Sequence, residues 1–136
     1  MNLFYFCCMS KTSRNTIARQ KILELINSKK TAISHSSLQE ELEGVCDRVT
    51  TYRVLERLVN ESLIHRIVNV NGVVNYAPCQ TCSHKEQHIH QHIHFSCISC
   101  GTIRCITDHP IAITLPENYS ATEYQLTIAG TCPECL

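Results

Sequence analysis

At 136 residues the chain suits one domain or two very small ones, and its 43% apolar fraction is ordinary, while ten Cys and eight His are far above common usage. The zero net charge divides unevenly, with 10 Lys/Arg against 7 Asp/Glu in residues 1–78 and 2 against 5 in residues 79–136, which permits a polyanionic partner in front and cations behind. The opening MNLFYFCCM is too short to span a bilayer and lacks a basic n-region and an A-x-A-like cleavage site, so the cysteines point to a reducing cytoplasm rather than to a secreted disulfide framework.

Residues 1–12 are expected to be a disordered or extended start, with Met1 or Met9 as the first residue. From Thr16 to Lys30, Ile17, Ile22, Leu25 and Ile26 recur near helical spacing. Ser34 or Ser36 caps a short helix through Glu43, where Leu38 and Leu42 share a face and Gly44 ends it. Asp47 is the N-cap of a third helix, RVTTYRVLERLVNESL. LIHRIVNV and GVVNYAP then read as two strands joined at Asn71-Gly72, a strong hairpin signal. Three helices followed by a hairpin give a winged helix-turn-helix over residues 13–78, with the third helix placed for a DNA major groove. Residues 79–91 form a polar, His-rich hinge, and residues 92–136 a second unit. In that unit HIHFSC, TIRCIT, IAITL and TEYQLTIAG are strand-like, and CPEC closes the chain. A unit this short needs a staple.

The staple is legible as C-x-x-C at Cys97 and Cys100, paired with C-x-x-C at Cys132 and Cys135. Two intervening residues let both thiolates face one tetrahedral ion, and a distant second pair closes the site, leaving no open position for catalysis. A redox C-x-x-C, or ordinary buried cysteines, are the competing readings. His92 and His94, two apart on a strand, share one face and can reach a second ion; surface histidines are the alternative. Their candidate partners are His65, Cys79 and Cys105, although Cys105 also suits an apolar core. A thiolate with imidazoles favours Zn²⁺ over cations that prefer oxygen. His35, His84, His88, His90 and His109 are expected to be solvated loop residues. Thr50, Thr51, Tyr52 and Arg53, at a helix N-terminus, suit phosphate and base-edge contacts.

Three ordered motifs, DRVTTYRVLERLVNESLIHRI, HIHFSCISCG and CPEC, resemble the ferric uptake regulator (Fur) superfamily of metal-dependent repressors over roughly Ser13 to Cys135. The resemblance implies an α+β fold, a winged-helix domain followed by a small α/β dimerisation domain with a four-cysteine zinc site, and a homodimer on double-stranded operator DNA. It implies that Cys97, Cys100, Cys132 and Cys135 hold structural Zn²⁺ and that His65, Cys79, His92, His94 and Cys105 supply a regulatory site. Tyr52 and Arg53 would contact base and phosphate, and Arg19 would lie near the minor groove.

The chain departs from its relatives where Gln91 and Ile93 replace ligands of a further site, and where Cys105 stands in place of the usual carboxylate. Both departures favour Zn²⁺ in the regulatory site, with Fe²⁺ or Mn²⁺ as alternatives. A zinc-responsive repressor of metal uptake genes is thus expected, with no membrane and no small organic substrate as partner. An iron- or peroxide-responsive regulator and a zinc-buffering or zinc-delivery protein are the rivals. An enzyme is disfavoured, because Glu86 is the only acidic residue between Glu61 and Asp108 to serve as a base.

Overall fold

The computed structural model describes residues 17–79, 92–109, 111–121 and 125–136. The expected N-terminal tail, the choice of Met1 or Met9, and the His-rich run with His84, His88, His90 and Gln91 lie outside the described residues.

Helix α1, Ile17–Ser28, buries Ile22 and Ile26 at i, i+4 spacing. A two-residue strand β1, Ile33–Ser34, runs directly into α2, His35–Glu41, whose first turn is capped by Ser34 Oγ accepting from Ser37 N at 3.2 Å. Gly44, at φ +75°, makes the turn that follows. Helix α3, Arg48–Asn60, starts where the sequence indicates, with Asp47 Oδ1 accepting from Thr50 N at 2.7 Å. It stops short of the expected end at Leu63. Leu63 N donates to Leu58 O at 3.0 Å and Ser62 N to Val59 O at 2.9 Å, with Ser62 at φ +61°. That pair of bonds is a Schellman stop with Ser where Gly is usual, so its common sequence signal is missing.

The wing is β2, Ile64–Val68, antiparallel to β3, Val74–Pro78, with β1 on the far side of β3. Its turn differs from a two-residue Asn-Gly hairpin. Asn69 N donates to Val73 O at 3.0 Å, which leaves Val70, Asn71 and Gly72 as the loop, with Gly72 at φ +77°. Asn69 Oδ1 accepts from Asn71 N and Val73 N, both at 2.9 Å, and this side chain sets the register that Asn71-Gly72 alone would have placed elsewhere. The three helices and this sheet share one core of Ile22, Ile26, Ile33, Leu38, Leu42, Val54, Leu55, Leu58, Ile64 and Tyr76.

The second sheet has the order β5-β4-β6. Strand β4, Ile93–Cys97, is antiparallel to β5, Ile103–Ile106, and parallel to β6, Leu126–Gly130; a 3-10 turn at Pro133–Cys135 closes the chain. One expectation is corrected here. IAITL is not a strand: residues 111–115 have no ladder partner, and Ile113 is 48% exposed. A β-type run becomes a strand only where a neighbour offers hydrogen bonds, and Pro116 follows at once. Among the described residues the second unit has no α-helix.

The sheets meet over a small apolar patch of Ile67, Ala77 and Ile103, flanked by Ala32 and Cys105. Ala32 N donates to Ile103 O at 2.9 Å, and Gln125 Nε2 to Arg66 O at 2.6 Å.

Candidate metal centres and nucleic-acid face

Where β4 ends, Gly101 at φ +73° lets the chain fold back so that Gly101 N donates to Cys97 O at 2.9 Å, bringing Cys100 beside Cys97. The turn at Pro133–Cys135 presents Cys132 and Cys135 from the other side, and the four Sγ atoms lie within 4.8 Å of one another. Cys100 and Cys132 sulfurs are 3.8 Å apart. Two sulfurs bound at about 2.3 Å to a tetrahedral ion stand about 3.8 Å apart, so the set fits zinc. The Cys97 thiol is pulled down to about 6 by backbone N–H groups of Cys100 and Cys132, whereas burial pushes Cys132 up to about 12. Crowded thiols cannot all ionise unless a cation joins them.

The second cluster draws on three strands. The pleat puts His92 and His94 on one face, and β4 pairs His94 with Cys105 on β5. His65 arrives from β2. His94 Nε2 lies 3.2 Å from His65 Nε2 and 2.9 Å from His92 Nε2, and Cys105 Sγ is 3.6 Å from His65 Nε2. The three histidines are buried, His94 completely. A buried histidine set of this kind costs solvation that packing alone does not return, and three imidazoles with one sulfur match a four-coordinate zinc. Cys79 lies outside this set of four: its Sγ is 3.5 Å from His65 Nδ1, the other nitrogen of that ring.

Burial raises the Cys105 thiol to about 11, so at neutral pH it carries a proton that a metal must displace. Zinc affinity at this cluster is therefore expected to rise about tenfold per pH unit between neutral pH and about pH 9, and to fall as pH drops. Chelator-competition titrations at three pH values check this; a flat profile counts against Cys105 as a ligand.

On α3, Tyr52 is 43% exposed and Arg53 is exposed, with Thr50 half-buried in the capped first turn. Thr51 corrects the expectation of a DNA contact, because it is 0% exposed and its hydroxyl donates to Gln39 Oε1 at 2.8 Å, also lying 3.0 Å from Asp47 O. It braces α3 against α2. Thr51→Val is expected to cost about 1–3 kcal/mol in urea unfolding, leaving the DNA affinity of the folded protein unchanged. Arg19 has a side chain only 13% exposed and pairs with Glu61, the residue that caps the C-terminal end of α3. His35 was expected in solvent, yet its ring stacks on Tyr52 with centroids 3.7 Å apart. Nothing in a 17-residue separation signals that contact.

The chain thus combines a buried histidine-sulfur cluster, a four-sulfur knuckle and a capped helix with an exposed Tyr-Arg pair. The sequence profile described as the ferric uptake regulator family matches residues 10–129. The chain belongs to the ferric uptake regulator family. Members of this family are metal-binding, DNA-binding transcription regulators, not enzymes.

Among solved structures, the Vibrio cholerae ferric uptake regulator is 22% identical, over 86% of this chain and 90% of that one, with a TM-score of 0.59. The Helicobacter pylori ferric uptake regulator, described with three functional metal-binding sites, is 18% identical over 90% and 81%, with a TM-score of 0.63. A zinc uptake regulator in complex with zinc and DNA is 20% identical over 90% and 83%, also at 0.63. These likenesses establish the Fur-family fold. No curated protein matches the chain.

Proposed function

We propose that this Fur-family chain is a zinc-responsive repressor of metal uptake genes, acting as a homodimer on double-stranded operator DNA in the cytoplasm. The observation that carries the reading is the cluster of His65, His92, His94 and Cys105, which takes one ligand from the wing and three from the second sheet. A sulfur among imidazoles supports Zn²⁺ over Fe²⁺ or Mn²⁺.

In this reading Cys97, Cys100, Cys132 and Cys135 hold a permanent structural Zn²⁺, and the histidine cluster is the sensor. Residues 13–78 read DNA, 79–91 form the hinge and 92–136 pair the subunits. His65 from the wing and His92, His94 and Cys105 from the second sheet would hold a Zn²⁺, whose charge and bonding would tie the two together. His65 anchors β2 to β4, Cys79 steadies the His65 ring, and the apolar patch of Ile67, Ala77 and Ile103 packs beneath. The angle of α3 within the dimer is then set for two major grooves about 34 Å apart, with Tyr52 and Arg53 at the bases and phosphates and Thr50 beside them. Metal and DNA affinities must reinforce each other by one common factor.

The test is selection from a random-sequence duplex library with Zn²⁺, Fe²⁺ and Mn²⁺ supplied separately, alongside native mass spectrometry. Two zinc ions per subunit and sequence enrichment at the lowest free Zn²⁺ are expected. Enrichment that survives chelation, or that only Fe²⁺ supports, would overturn the zinc-sensing reading.

A further inference from the structure

His35 and Tyr52 make a contact that neither metal centre uses. His35 opens α2 and Tyr52 sits in the second turn of α3, and their rings lie 3.7 Å apart between centroids and 15° from parallel. The Arg48 guanidinium is 5.8 Å from the centre of the Tyr52 ring. Burial, with the Arg48 charge next, holds the His35 imidazole below its ordinary value, so the stacked ring is neutral at physiological pH. The pair walls a cleft of about 770 Å³ that reaches Val73 and Tyr76 of the wing.

His35 thus covers one face of Tyr52, which keeps 43% of its surface exposed. His35 Nε2 is buried with no hydrogen-bond partner among the described residues, and a hydrogen bond to the Arg48 backbone joins the stacking contact in holding the ring there. An exposed tyrosine touching a base edge would lose rotamer freedom on binding. A ring already stacked has lost it beforehand.

We propose that His35 is a specificity-determining positioning residue of the DNA interface, fixing the Tyr52 ring in one orientation so that cognate sequence gains from it and other DNA does not. The proposal rests on the DNA-reading role of α3 given above. Phosphate contacts carry no sequence information, so the effect falls on the preference between sequences and leaves the electrostatic part of binding alone.

The experiment uses the full-length zinc-loaded protein with two duplexes of equal length, the most enriched selected sequence and a scramble of it, measured by fluorescence anisotropy across a salt series. His35→Ala is expected to weaken binding to the selected duplex by about two- to tenfold, the range of one immobilised side chain, with scrambled binding and salt slope unchanged. His35→Phe, which keeps a flat ring without its nitrogens, is expected to restore the preference. Thermal melting of each variant confirms an intact fold. Equal weakening on both duplexes, no weakening on either, or failure of phenylalanine to rescue overturns the role of His35 while leaving the regulator reading standing. A wild-type protein with no preference between the duplexes overturns that reading and the proposal together.

Discussion

Replacing Cys97 by serine is expected to unfold the second sheet and leave the winged-helix core folded. The reason lies in how little apolar burial the second unit has of its own. Among the described residues, the core of the helices and the wing holds ten buried residues, whereas the patch between the sheets is Ile67, Ala77 and Ile103, of which only Ile103 comes from the second unit. Burial on that scale cannot offset the backbone entropy of three strands. The knuckle supplies what is missing: Cys97 closes β4, accepts from Cys132 N at 3.4 Å, and sits where Ile98 N donates to Gly130 O at 2.8 Å. Structural zinc contributes binding free energy comparable to the net stability of a whole domain, so losing one of four ligands is enough. Hydrogen exchange should show amide protection lost over residues 92–136 and kept over 17–79, with one zinc fewer per chain. Strong chelation of the wild type should give the same pattern. A variant that keeps protection throughout would show that the sulfur clasp is dispensable.

His94→Ala is expected to do the opposite, keeping the fold and losing the response. His94 is the hub of the histidine cluster, fully buried and within 3.2 Å of both neighbouring Nε2 atoms, so its removal leaves three donors around a hole. DNA affinity should then no longer rise with zinc, forfeiting a gain of about 5- to 150-fold. Cys79→Ser makes an informative contrast. Its sulfur touches the outer nitrogen of His65, so zinc affinity should weaken by about 10- to 100-fold while the DNA response persists at higher zinc. Zinc titrations followed by gel shifts separate the two. If Cys79→Ser abolishes the response as completely as His94→Ala, Cys79 is a ligand and the set of four needs redrawing.

Much of this was local, and the local part was legible. Asp47 as a cap, Ser34 before α2, Gly44 after it and the C-x-x-C pairs all act through neighbours within four residues in the chain, and spacing alone reports such contacts. The end of α3 was not legible, because Ser62 adopts the left-handed conformation without the glycine that usually announces it. The wing turn was misplaced for a similar reason: the Asn69 side chain, rather than Asn71-Gly72, closes it. Residues 111–115 carry β-type residues and find no ladder.

By itself the sequence determined the order of helices and wing, the four-sulfur knuckle, and the pairing of His92 with His94 on one strand face. Tertiary structure alone decided which donors join that pair, that Thr51 turns inward to Gln39, that Arg19 is tied to Glu61, and that His35 lies flat on Tyr52. The division is physical. Periodicity and capping depend on bonds between residues a turn or a pleat apart, whereas a ligand set drawn from β2, β4 and β5 exists only after strands distant in the chain have paired and packed.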